Sequence, residues 1–190
     1  MARQERAEQT RRKLVEAAAE EFAAHGYSGA SLSGIVRSAG VTMGALTFHF
    51  PSKSLLADAV QEAGEDATRA VLDAGPVTPG LPAPIGDILA LAGAIEANPS
   101  MRAAARFARD GHSPAAGWYG SWVPEVRARL GRYEASGLAP LLTFVLLGVE
   151  AATVAPETLR AVTGSDPRDD LARALETLSD LMASVQSVPE

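Results

Sequence analysis

The chain has 190 residues, with 17 Lys and Arg against 23 Asp and Glu, and no cysteine. That length suits one globular domain or two small ones with a real core. The lack of cysteine excludes a disulfide framework, thiolate metal sites and a Cys nucleophile, and fits a reducing, cytoplasmic compartment. The net charge of −6 is unevenly spread: residues 1–53 carry seven basic and five acidic side chains, and the other 137 residues carry ten basic and eighteen acidic. Such asymmetry suggests a polyanion-facing end on an acidic body. The basic start, Met1 to Lys13, is followed by no apolar run of the secretory kind.

In chain order the pattern is helical throughout, with no period-2 stretch. From Glu5 to about His25, Leu14, Ala17, Ala18 and Phe22 share one helix face, and Gly26 stands where a C-cap glycine would end the helix. Ser31-Leu32-Ser33 supplies an N-cap for a short helix with Leu32, Ile35 and Val36, stopped at Gly40. Thr42 caps a second short helix through Phe48. Pro51-Ser52 then breaks the chain and caps a long helix with Leu55, Leu56, Ala59, Val60 and Ala63 on one side. Residues 74–84 (AGPVTPGLPAP) hold four prolines and two glycines and read as a hinge loop. Further helices are expected near 85–97, 100–109, 120–136, 138–155 and 167–187. The run at 138–155 approaches the length of a membrane span, but Pro140, Thr143, Gly148 and Glu150 interrupt it, so a buried core or interface helix is expected and no membrane partner. The faces of 138–155 and 167–187 exceed what a monomer needs and suggest a homodimer.

Residues 31–50, SLSGIVRSAGVTMGALTFHF, have the shape of a helix-turn-helix: a short helix, a glycine able to take positive φ, and a second helix. Ile35, Val36, Ala39, Val41 and Leu46 would pack the two helices together. The second helix would then present Thr42, Met43, Gly44, Ala45, Thr47, Phe48 and His49 to a major groove. Phe48 and Phe50 cannot share a face, so Phe50 is expected in the core and Phe48 at the surface.

The segment from Gly26 to Val60 resembles the DNA-binding domain of the tetracycline-repressor (TetR) family of bacterial transcription regulators. The resemblance rests on Ser31, Ile35, Ala39, Gly40, Val41, Thr42, Gly44, Leu46, His49, Phe50, Ser52, Lys53 and Leu56. Within that family, RAEQTRRKLVEAAAEEFAAHGY and GAL-x-FHF-x-x-K are most similar to the γ-butyrolactone receptors of streptomycetes. The resemblance implies an all-α protein with a helix-turn-helix domain at 1–53 and a helical ligand-binding and dimerisation body at 54–190, with 54–73 as the connecting helix. It implies a dimeric repressor of palindromic double-stranded DNA, released by a small hydrophobic effector such as a lactone or butenolide. The implied DNA-contacting set is Ser31, Ser33, Thr42, Met43, Gly44, Ala45, Thr47, Phe48, His49 and Lys53. Arg3 and Arg6 either reach DNA or are simply solvated.

Departures from the family pattern keep a second reading open. Met43 stands where a Lys is common, Thr47 where a Tyr is near-constant, and Gly34 where an acidic residue completes a capping box. Loss of phosphate contacts would weaken DNA binding, leaving a ligand-binding protein that acts through protein contacts. In the body, Trp118, Tyr119 and Trp122 form a packed core or line an apolar cleft. By the resemblance Trp122 faces the effector; Trp118, Phe107, Thr143, Phe144 and Leu147 are candidate co-lining residues or plain core. Gly64 stands where many lactone receptors carry Gln. Three scattered histidines (His25, His49, His112), no Cys and no G-x-S-x-G, P-loop or GxGxxG give no footing for catalysis, a metal or a cofactor.

Overall fold

The computed structural model describes residues 2–75, 83–112, 117–129 and 156–186, with residues 131, 140, 144, 145 and 148. No strand occurs among the described residues, and the helices with defined bounds are α1 (Ala2–Gly29), α2 (Leu32–Ala39), α3 (Met43–His49), α4 (Lys53–Ala74), α5 (Ala83–Ala97), α6 (Pro99–Arg109), α7 (Gly117–Gly120), α8 (Val123–Arg129), α9 (Pro156–Thr163) and α10 (Pro167–Gln186); Pro140, Phe144, Val145 and Gly148 are helical as well. The chain divides into two compact units, Met1–Ala67 with Asn98–Tyr119, and Thr68–Ala97 with Gly120–Glu190. Helix α6 belongs to the first of these units.

In the first unit, Leu14, Ala18 and Phe22 of α1 meet Ile35 of α2, Leu46 of α3, Phe50, Leu56 and Val60 of α4, and Phe107 of α6 in one buried core. Phe22 and Phe107 pack edge to face with centroids 5.1 Å apart. Polar clamps hold α6 to α1. The Arg106 Nη1 donates to the carbonyls of Ala23 and Ala24 at 3.0 and 2.9 Å, and Arg102 pairs with Glu20 at 3.3 Å. Those carbonyls lie beside the kink at Gly26, whose φ of 68° and ψ of 176° are non-helical. The expected stop at Gly26 is thus a kink, and one more helical turn follows it to Gly29. On α4 the buried stripe is Leu56, Ala57 and Val60, and Leu55, expected on that stripe, is exposed.

In the second unit, α5 lies against α8 and α10. Ile85, Ile88, Leu91 and Ile95 of α5 are all buried, as are Trp122, Val126 and Leu178. Arg129 donates to Asp87 Oδ1 and Glu125 Oε1 at 3.0 Å each and to the Leu72 carbonyl at 3.1 Å, near the C-terminus of α4.

Where one helix was expected from 120, the chain forms α7, a turn at 121–122, and α8. Pro124 has no N–H to donate to the Gly120 carbonyl, so a continuous helix would lose a bond there, whereas Pro is tolerated in a first turn. The helix expected at 138–155 falls almost wholly outside the described residues, as do 76–82 of the expected hinge. Helix α9 was not expected. No helix among the described residues is long and apolar enough to cross a membrane.

Candidate nucleic-acid interface

Local hydrogen bonds define α2, the turn and α3. The Ser31 backbone is extended (φ −112°, ψ 122°), and its Oγ accepts the Gly34 N–H at 3.2 Å. Ser33 Oγ lies 2.7 Å from Ser31 Oγ. The Ser31 N–H donates to Glu21 Oε1 of α1 at 2.9 Å. At the other end Gly40 is left-handed (φ 65°, ψ 34°). Its N–H donates to the Arg37 carbonyl at 3.3 Å, and that of Val41 donates to the Val36 carbonyl at 3.1 Å. This pair of bonds is a Schellman motif. Nothing lies within 4 Å of where a Cβ would stand at Gly40, so its backbone conformation, and not crowding, calls for glycine.

Thr42 then caps α3, its Oγ1 accepting the Ala45 N–H at 3.2 Å. Leu46 is buried and anchors α3 in the core, and Phe50 beyond it is also buried. Facing away, Phe48 is 79% exposed and Met43 is 44% exposed. Thr42, Gly44 and Thr47 are exposed as well, while Ala45 and His49 are half-buried. Thr47 Oγ1 donates to the Met43 carbonyl at 2.9 Å.

Lys53 is half-buried. Its Nζ donates to the Ala30 carbonyl at 2.7 Å and stands 4.9 Å from the centroid of the Tyr27 ring, which also stacks on His112. It thereby ties the start of α4 to the end of α1. Arg11 covers the Phe50 ring at 5.2 Å, while Arg6, Arg12 and Lys13 are exposed. Sequence reasoning missed the Glu21, Arg11 and Arg106 contacts, because each joins residues on different elements.

The described residues among those expected around an effector fall in both units. Trp118 lies buried in the first unit and Trp122 buried in the second. Phe107 belongs to the core around Phe22 and also lines a cleft of about 160 Å³ with Ala57, Asp58, Gln61, Glu62, Glu65 and His112. Three carboxylates in its wall make that cleft a poor home for an uncharged apolar ligand. Phe144 is 71% exposed, and Thr143 and Leu147 lie outside the described residues. Gly64 sits against α6, where a Cβ would come within 2.5 Å of the Ser100 carbonyl oxygen and 2.8 Å of Ala104 Cβ. No group of three His, Cys, Asp or Glu among the described residues could hold a metal ion.

Comparison with known proteins places this architecture. Residues 14–60 match the family model described as bacterial regulatory proteins, tetR family. The chain is 52% identical over 62 residues to the A-factor receptor protein of Streptomyces griseus, a stretch that makes up 33% of this chain but only 22% of that protein. It is similar over most of its length to the structure of CprB, a TetR family protein from S. coelicolor A3(2), with 29% identity, a TM-score of 0.65, and coverage of 92% of this chain and 97% of that one. The structure of TylP, a TetR regulator from Streptomyces fradiae, is 31% identical with a TM-score of 0.54, covering 92% of this chain and 81% of that one. With the capped helix-turn-helix and full-length likeness together, the chain belongs to the TetR family of bacterial regulatory proteins.

Proposed function

We propose that this protein is a ligand-responsive transcriptional repressor that binds a palindromic operator in double-stranded DNA as a homodimer and is released by a small hydrophobic effector. The observation that carries this reading is the α2–turn–α3 unit, in which caps at Ser31, Gly40 and Thr42 hold α3 with Met43, Thr47 and Phe48 outward. Two such units in a symmetric dimer would read half-sites about 34–36 Å apart or a multiple of that. Phe144 and Val162, 71% and 81% exposed in the single chain, supply apolar surface that a second copy would cover. Light scattering should therefore give a dimer at micromolar concentration, and a monomer would exclude the symmetric arrangement.

Effector release requires a ligand that binds the DNA-free conformation better than the DNA-competent one, since equal affinity shifts nothing. The likeness to the A-factor receptor protein and to the structure of a γ-butyrolactone receptor favours a lactone or butenolide. The test is a DNA-release assay with γ-butyrolactones on the wild type and Trp122→Phe. Equal sensitivity in the two proteins would remove Trp122 from the effector site.

A second reading, weakened DNA binding with action through protein contacts, is favoured by one observation. Lys53, the cation that the family pattern offers to a phosphate, already donates to the Ala30 carbonyl. A gel shift across a salt series with the intergenic DNA beside its own gene separates the two.

A further inference from the structure

Between Val41 and Phe50 there is no Arg, Lys, Asn, Gln, Asp or Glu. Those six side chains make the characteristic hydrogen bonds to guanine, adenine and cytosine in the major groove, Ser and Thr being less selective readers. The hydroxyls of α3 and its cap each make one bond within their own helix, Thr42 Oγ1 accepting the Ala45 N–H and Thr47 Oγ1 donating to the Met43 carbonyl, which limits the directions left for either to meet a base. His49 is half-buried with its ring edge-on to Phe48, centroids 5.1 Å apart.

The large side chains that α3 holds outward are apolar. At about 100° per residue, Met43, Thr47, Gly44 and Phe48 follow one another round an arc of about 140°. Met43 and Phe48 are the large side chains on it, 44% and 79% exposed. The C5-methyl of thymine is the apolar feature that the major groove presents. Five residues at 1.5 Å put the two side chains about 7.5 Å apart along the axis, or roughly two base steps of 3.4 Å. Exposed cations in the same compact unit, Arg6, Arg12, Lys13 and Arg37, favour a polyanion over an apolar protein surface as the occupant of this face.

We infer that Met43 and Phe48 are specificity-determining residues that read thymine methyl groups in the major groove, in place of hydrogen bonds to base edges. This deepens the DNA-binding reading above and rests on it. Sequence preference then comes from apolar contact, and affinity from phosphate contacts made elsewhere in the unit.

The test needs no altered protein at first. Duplexes are selected from a random library with the full chain, and the selected sequence is remade with single thymines replaced by uracil, which removes only the methyl group. Uracil at two positions about two steps apart should each weaken binding roughly threefold to fivefold, the worth of about one buried methylene. The salt dependence should stay unchanged, because no phosphate contact is touched. Phe48→Ala should erase the loss at one position and Met43→Ala at the other; both side chains are exposed, so neither change opens the core. Uracil tolerated throughout a duplex that is still bound overturns the methyl readout and leaves DNA binding standing. Losses that both variants leave in place overturn the assignment to these two residues. A library that yields no enriched duplex overturns the DNA-binding reading and this inference with it.

Discussion

Glu21 Oε1 accepts the backbone N–H of Ser31 at 2.9 Å, in the space left by the missing side chain of Gly34. A Cβ at Gly34 would lie 3.1 Å from that same oxygen. In a capping box the carboxylate that reaches back to the N-cap N–H comes from the third helical position, which here is Gly34. Helix α1 supplies it instead. Glu21→Ala should lower unfolding stability by about 1 kcal/mol, the usual worth of a cap. Gly34→Glu should destabilise the wild type, where it crowds Glu21, and recover part of the loss in Glu21→Ala, where it rebuilds the box within α2. Urea unfolding of the four proteins checks the cycle, and additive effects would break the link between the two positions.

Gly26→Ala should be costly. The φ and ψ of 68° and 176° lie where only glycine is at ease, and a Cβ there would meet Asp110 Oδ2 at 3.0 Å and Arg106 Nε at 3.1 Å. The expected loss is about 1–3 kcal/mol from backbone strain, read as a lower thermal midpoint. An unchanged midpoint would mean that α1 straightens without penalty and that the Arg106 clamp on Ala23 and Ala24 is dispensable.

Gly64→Gln, the residue of many lactone receptors, should not be accommodated. Its Cβ would approach the Ser100 carbonyl oxygen to 2.5 Å, which forces α4 and α6 apart locally. Overpacking of this kind costs about 1–3 kcal/mol. Denaturant unfolding would show it, and wild-type stability would indicate that α6 can yield.

Met43→Lys should raise the magnitude of the slope of log K against log salt by about one unit, because the longer, ammonium-tipped side chain can leave the base edge that Met43 contacts and snorkel to a neighbouring phosphate. Binding measured at several salt concentrations checks this. The same variant should lose the preference for thymine over uracil at its position. An unchanged slope would show that position 43 does not approach the backbone.

Asp87 makes a pH-dependent contribution. It is 1% exposed, and its Oδ2 has no hydrogen-bond partner among the described residues, whereas Oδ1 is held by Arg129. Burial pushes its carboxyl above the ordinary value of 3.8; the bond and charge of Arg129 offset this only in part, and Glu125 adds to the rise. A carboxyl raised in the folded state contributes stability that is fully present below 3.8 and is lost as pH climbs through the raised value. The stability of Asp87→Asn relative to wild type should therefore improve as pH rises above about 4. Unfolding curves across that range decide it, and a difference of opposite slope would mean that the Arg129 pairing outweighs burial.

The helix-turn-helix was legible because its determinants are local. Caps at Ser31 and Thr42, the left-handed Gly40, and the buried Leu14, Phe22, Ile35 and Leu46 each depend on residues within a few positions or on a helical period. Helix α9 carries local signals too, Pro156 at its start and Gly164 (φ 74°) after its end, but eight residues are too few for a periodic stripe to stand out. Only the tertiary structure decided which partners the polar side chains take. Arg106 reaches carbonyls more than eighty residues away, Arg129 joins Asp87 to Leu72, and Lys53 turns inward to Ala30. A period tells which face of a helix is buried; which distant backbone group that face meets is set by the packing of whole helices, and the range of an ammonium or a guanidinium is short enough that packing alone selects its acceptor.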